Sequence, residues 1–233
     1  MPDRIALVIP VRSFDRGKSR LADHFTPDQR SRLARAMAEV VVAPRNVDGD
    51  VDGDVDNRVD NRVDNRVGTI VVCNDESVAH WARSRAAMVV STDAAGLNPS
   101  LTATRDSVLW STDADWIVVA HADLPLATDI VGVIAAAIAA QPRDGDRVLI
   151  ATDRRRDGTN VLALTRATFA KWEFMYGPGS LEAHRAQAER LGLQVIEIDD
   201  ASLAIDIDTH DDLHAVQDFI ARVLPDWKPA EPR

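Results

Sequence analysis

The segment IALVIPVRSFDRGKSRL, Ile5 to Leu21, decides the fold. Its first six residues, Ile5 to Pro10, form an apolar run as long as a strand buried on both faces, and such strands belong to parallel sheets covered by helices. The next residues are opposite in character: Arg12, Arg16, Lys18 and Arg20 place four cations within nine residues. Ligands of open α/β sheets bind beyond the carboxyl ends of the strands, so a basic loop there reads as a phosphate cradle. The ordinary alternative, a solvated basic loop, is about equally common. The loop is not a Walker loop, since the G-x-x-x-x-G-K spacing is absent, and no G-x-G-x-x-G follows any apolar run.

Outward from this segment, short apolar runs alternate with amphipathic stretches. Helices are predicted over 27–42 (with Thr26 as N-cap), 75–87, 99–110, 128–140, 181–191 and 209–222; strands are predicted over 69–73, 88–91, 116–120, 147–152, 160–164 and 194–198. Strands separated by helices imply an α/β fold, a single domain with a mostly parallel central sheet flanked by helices. One stretch interrupts the pattern. Residues 47–66 read VDGDVDGDVDNRVDNRVDNR, a tetrapeptide repeat whose seven Asp against three Arg hold four of the ten net negative charges. Isolated valines without an aromatic cannot build a core, so the expected organisation is a domain over 1–225, with 46–67 an acidic surface loop and 226–233 a tail.

The whole chain has 233 residues, 45% hydrophobic and 27% charged, enough for a substantial core. The single cysteine, Cys73, excludes a disulfide framework and a cysteine zinc cluster. No apolar run is long enough for a membrane span or signal peptide, so a soluble, cytoplasmic protein is expected. With 27 Lys and Arg against 37 Asp and Glu, the chain disfavours nucleic acid and anionic membranes as partners. An anionic substrate therefore requires a local basic cluster or a metal ion.

Three more stretches sit where such sheets carry chemistry. Asp123, in Ala122-Asp123-Leu124-Pro125, follows the apolar run 116–120. In Ala204-Ile205-Asp206-Ile207-Asp208-Thr209, the two Asp alternate along an extended segment and so share one side. Each Asp alone could be a helix cap, but three at strand ends favour a clamp for Mg²⁺. Asp157-Gly158-Thr159-Asn160 and Tyr176-Gly177-Pro178-Gly179-Ser180 add glycines and hydroxyls before a helix, which suit an anion as well as an ordinary turn.

In this order PVRSFDRGKSRL, the Gly96-Leu97-Asn98 triplet, ADLPL, DGTN, YGPGS and DIDT resemble the phospholactate or phosphoenolpyruvate guanylyltransferase family of deazaflavin-coenzyme biosynthesis, over roughly residues 5–222. The resemblance implies a nucleotidyltransferase fold of the glycosyltransferase-A-like kind and transfer of GMP from GTP to the phosphate of a three-carbon phospho-acid: phosphoenolpyruvate, 2-phospho-L-lactate or 3-phospho-D-glycerate. It implies Pro10, Arg12, Lys18, Leu97, Asn98 and Asp123 at the nucleotide, Thr159, Gly177 and Ser180 at the acceptor, and Asp123, Asp206 and Asp208 at Mg²⁺. Lys18, with Arg12 and Arg20, would neutralise the triphosphate. A homodimer, and a downstream transferase that consumes the unstable product, are the expected partners. The repeat and His121 depart from the family pattern.

This chemistry needs no general base, because an acceptor phosphate is already anionic near neutral pH and positioning with charge neutralisation suffices. Two alternatives stand beside it. One is transfer to a sugar phosphate or a molybdenum-cofactor precursor, whose enzymes usually open with a glycine-rich loop that this chain lacks. The other is a calcium-responsive interaction protein acting through the repeat. Asp48, Asp50, Asp52 and Gly53 match the opening of an EF-hand loop, but its twelfth position is Val59 rather than Glu.

Overall fold

The computed structural model describes residues 3–42, 67–142 and 145–227. The repeat, and with it the EF-hand-like stretch, lies outside them. The strands are β1 (Ile5–Pro10), β2 (Val67–Cys73), β3 (Met88–Ser91), β4 (Trp116–Ala120), β5 (Arg147–Thr152), β6 (Thr159–Thr165) and β7 (Gln194–Glu197). They form one sheet in the order β3-β2-β1-β4-β6-β5-β7. Only β6 runs against its neighbours. The segment between β5 and β6 is too short for a crossover helix, so those two strands close as a hairpin.

The helices are α1 (Pro27–Val42), α2 (Glu76–Ser84), α3 (Leu97–Ser111), α4 (Ile130–Ala139), α5 (Arg166–Phe169), α6 (Ser180–Arg190), α7 (His210–Ala215) and α8 (Gln217–Val223). Alternation along β1 divides the core. Ile5, Leu7 and Ile9 face a layer with Val41 of α1, Val78 of α2 and Ile134 of α4. Ala6 and Val8 face Leu101 of α3, Trp172 and Leu181 of α6. A third cluster joins the far side of α1, through Leu33 and Met37, to Phe219 and Ile220 of α8. β1 thus lies mid-sheet with both faces covered, as its apolar run requires.

Local chemistry sets most boundaries. Thr26 caps α1 reciprocally: its Oγ1 accepts from the Gln29 amide, and Gln29 Oε1 accepts from the Thr26 amide. α3 starts at Leu97, two residues before the expected Pro99, after Gly96 turns the chain at φ 101°. The helix expected over 209–222 is two helices. Val216, with φ −132°, leaves the helical region while its β-branched side chain stays buried in the third cluster. β2 starts at Val67, earlier than expected. Trp227, placed in the expected tail, stacks on Phe25 at 5.0 Å and donates to the His24 carbonyl. Among the described residues no helix is long and apolar enough to cross a membrane.

Candidate active site

After β1 the chain makes two single-turn 3-10 segments, Phe14–Arg16 and Ser19–Leu21, with Lys18 between them in the left-handed region at φ 56°. A non-glycine residue there is uncommon and marks a position held by its surroundings. Those surroundings are carboxylates. Lys18 Nζ, on a side chain only 8% exposed, lies 2.6 Å from Asp123 Oδ2 and 2.9 Å from Asp208 Oδ1. Asp123 follows β4, which pairs with β1, and so arrives beside the basic loop. Asp208 comes from the segment before α7, where its amide donates to Asp212 Oδ2 at 3.1 Å. Arg20 Nη1 adds a looser contact, 3.6 Å from Asp208 Oδ2.

These groups open on a cleft of about 960 Å³. Pro10, Arg12 and Lys18 from the first loop, Leu97 from the start of α3, and Asp123 and Asp208 all line it. His121 lines it too, with Nδ1 3.8 Å from Asp123 Oδ1, too long for a hydrogen bond.

The charges are strongly coupled. Burial opposes the Lys18 ammonium, but the facing Asp123 and Asp208 outweigh it and hold its pKa above the ordinary lysine value. Burial likewise opposes the Asp123 carboxylate, which Lys18 and then His121 hold below the usual range. Asp206 makes no bond to Lys18; burial, then the neighbouring Asp123 and Asp208, push it up to about 6. Burial, with Lys18 adding to it against Asp123, lowers His121 and favours neutral imidazole. Among the described residues no three acidic, imidazole or thiol side chains converge as a preformed metal cage.

The remaining sequence-predicted positions lie elsewhere. Asn98 does not line the cleft; its amide clamps the Tyr176 backbone, donating to the carbonyl at 2.9 Å and accepting from the N–H at 2.8 Å. Thr159 and Ser180 are almost fully buried and bonded together, Ser180 Oγ accepting from the Thr159 amide at 2.9 Å. Gly177 is exposed at φ 134°. Conversely, Ser13, Asn74, Asp75 and Ser100 line the cleft although no sequence motif assigns them a role. Asn74 and Asp75 directly follow β2, so the strand-end rule applied to every strand finds them.

A model of the guanylyl transferase CofC-like family matches residues 5–217. The chain belongs to this family. Among curated relatives, the phosphoenolpyruvate guanylyltransferase of Sphaerobacter thermophilus is 34% identical over 88% of this chain and 89% of its own length. That of Conexibacter woesei is 33% identical over 92% and 87%. A nucleotidyl transferase from Methanothermobacter superposes with a TM-score of 0.57 at 15% identity, covering 94% of this chain and 98% of its own. Glucosyl-3-phosphoglycerate synthase from Mycobacterium tuberculosis, solved with Mn²⁺ and UDP, gives 0.52 at 14%, covering 95% and 77%. This member of the CofC-like family is a nucleotidyltransferase with a glycosyltransferase-like fold.

Proposed function

We propose that the protein transfers GMP from GTP to the phosphate of phosphoenolpyruvate, releasing pyrophosphate. The observation that carries this reading is the Lys18 ammonium held between Asp123 and Asp208 at the mouth of a basic loop. The names of its relatives favour phosphoenolpyruvate over 2-phospho-L-lactate and 3-phospho-D-glycerate. An oxygen of the acceptor phosphate attacks the α-phosphorus of GTP, a new P–O bond forms, and the bond between the α-phosphorus and the β-bridging oxygen breaks. No side chain need take a proton. Arg12, exposed in the cleft, and Lys18 offset the charge of the triphosphate as pyrophosphate leaves.

The residues also fit Mg²⁺. Asp123 Oδ1 is buried without a hydrogen-bond partner among the described residues, and a cation, the lysine ammonium, already stands between Asp123 and Asp208. Carboxylate oxygens suit a hard divalent ion, which Asp123 and Asp208 would hold with Asp206 alongside, supplying charge neutralisation at the phosphates. The same reading includes a cytoplasmic homodimer, and a downstream transferase of deazaflavin-coenzyme biosynthesis that removes an unstable product.

The test is purified protein with each nucleoside triphosphate and each of the three phospho-acids, following pyrophosphate release with and without that downstream enzyme. Release with GTP and phosphoenolpyruvate is expected. Release only with a sugar phosphate would overturn the reading.

A further inference from the structure

Between β7 and α7 the described chain makes no strand or helix, so no sheet ladder holds Asp206 and Asp208 where they stand. Electrostatics works against that placement: both carboxylates crowd Asp123, and Lys18 with, more loosely, Arg20 offsets the repulsion in part. The segment is fixed instead through its backbone. Asn160, buried in β6, donates from Nδ2 to the Leu203 carbonyl at 2.9 Å, and the Arg154 amide donates to the Ala204 carbonyl at 3.0 Å. At the far end stands Asp212 of α7, almost fully buried. Its Oδ2 accepts from the Thr209 amide at 2.7 Å and the Thr209 hydroxyl at 2.8 Å, and also from the Asp208 amide at 3.1 Å. Its Oδ1 accepts from Arg154 Nη2 at 2.8 Å, with Arg155 Nη2 at 3.7 Å.

A capping box asks the third helical residue only to reach back to the N-cap amide, here that of Thr209, and Glu or Gln is its usual residue. Asp212 reaches one amide further, to Asp208, and is buried against cations to do so. A buried ion pair adds little stability of its own, so capping a helix of six residues does not account for it. We propose that Asp212 is a positioning residue: by holding the Asp208 amide, it sets where the Asp208 carboxylate meets Lys18 and the divalent ion of the proposed transfer. This rests on the metal reading above. Loss of a group that orients a metal-binding carboxylate typically weakens metal binding about 10–100-fold.

Mn²⁺ added alone to the full-length protein, followed through the electron paramagnetic resonance signal of the free ion, reads the placement of Asp208 without turnover. Asp212→Ala is expected to weaken Mn²⁺ binding at least about tenfold. Asp212→Glu keeps the charge and suits the capping box, but its longer chain moves the carboxylate off the Asp208 amide. Its Tm should stay close to wild type while Mn²⁺ binding weakens about tenfold, and it decides the matter if the Ala variant does not fold. Asp212→Asn retains an acceptor for the two amides and loses the Arg154 pair, so it should lower Tm yet recover most of the affinity lost in the Ala variant. Arg154→Ala should likewise lower Tm with Mn²⁺ affinity within about twofold, because the bond to the Asp208 amide survives. Wild-type Mn²⁺ affinity in Asp212→Glu, a loss in Arg154→Ala as large as in Asp212→Ala, or wild-type protein that binds no Mn²⁺ would overturn the assignment. If the series behaves as expected while wild-type protein releases no pyrophosphate from any nucleoside triphosphate with any phospho-acid, the transferase reading falls and Asp212 keeps its role, which separates the two failures.

Discussion

The loop after β1 (residues 11–20) and the loop after β5 (residues 153–158) both leave the carboxyl edge of a sheet strand and both are rich in arginine, yet the protein uses their charge in opposite ways. In the first, Arg12 has no ion-pair partner among the described residues and faces the cleft, while Lys18 is buried against two carboxylates. In the second, Asp153-Arg154-Arg155-Arg156-Asp157-Gly158, each cation is tied to the protein's own groups. Arg154 Nη2 lies 2.8 Å from Asp212 Oδ1, Arg155 Nη2 donates to Thr209 Oγ1 at 3.1 Å, and Arg156 pairs with Glu197. Asp212 in turn accepts from the amides of Asp208 and Thr209. One loop therefore leaves Arg12 facing the cleft, and the other uses Arg154 and Arg155 to fix the segment that carries Asp208. A run of arginines in a sequence does not distinguish these uses. The carboxylates within reach do.

The largest effect that could break this contrast lies at Lys18. Lys18→Ala, Asp123→Asn and Asp208→Asn are each expected to lower kcat at least about a hundredfold with the fold intact, because uncompensated phosphate charge costs several kcal/mol. Arg156→Ala, which removes an exposed pair with Glu197, should leave kcat within about twofold. Steady-state kinetics with circular dichroism on all four variants checks this. Equal losses at Arg156 and Lys18 would erase the distinction between the loops.

A smaller effect separates ligand binding from buttressing. Arg12→Ala should raise the KM for GTP about tenfold at unchanged Tm, since the side chain has no partner among the described residues to lose. Arg154→Ala should do the reverse: it strips a partner from the nearly buried Asp212 and should lower Tm by a few degrees, with the KM for GTP unchanged.

Much of the site is legible in the sequence, for reasons these two loops make plain. Apolar runs define the strands, and the strand-end rule then points to Lys18 and Asp123; Asp208, which follows no strand of the sheet, comes from the alternating Asp pair of residues 204–209, and the three meet in space. The rule does not say which polar residue at an edge is bonded inward. In the interior the Ser180 hydroxyl accepts from the Thr159 amide and the Thr159 hydroxyl faces His184 Nδ1, while Asn98 holds the Tyr176 backbone, and none of these bonds can be read from the sequence. His121, which lines the cleft, is illegible for a different reason: its Nε2 is buried with no partner among the described residues. Only packing reveals that a polar atom is buried without a partner.

A pH effect sharpens the electrostatics of the carboxylates near the first loop. Asp206 has its folded-state pKa raised from 3.8 to about 6, so the folded protein holds that proton more tightly than the unfolded chain does. Stability from this group is therefore present below about pH 4 and lost as pH rises through about 6. Asp206→Asn removes the loss. In cation-free buffer it should stabilise the protein by about 1–2 kcal/mol at pH 7.5, a figure reduced for partial exposure, and by nothing near pH 4. Thermal melts at the two pH values check this, and a gain that is equal at both would assign it to packing.

The smallest effect is expected at the acidic repeat, where sequence charge is densest and a role at the cleft is least expected. β2 begins at Val67 opposite Ile5, the amino end of β1, whereas the cleft adjoins Pro10 and Lys18 at the other end. A segment that enters β2 from that side joins the sheet at the edge away from the cleft. Replacing residues 47–66 by a Gly-Ser linker of half the length should leave kcat and both KM values within about twofold. Stability should change by about 0.6 kcal/mol or less from loop closure, with a slight gain from removing four net negative charges. Calcium makes the comparison decisive. If the repeat held the ion, millimolar calcium would raise the Tm of the intact chain and not of the shortened one, whereas a solvated acidic segment leaves the two melts shifting in parallel.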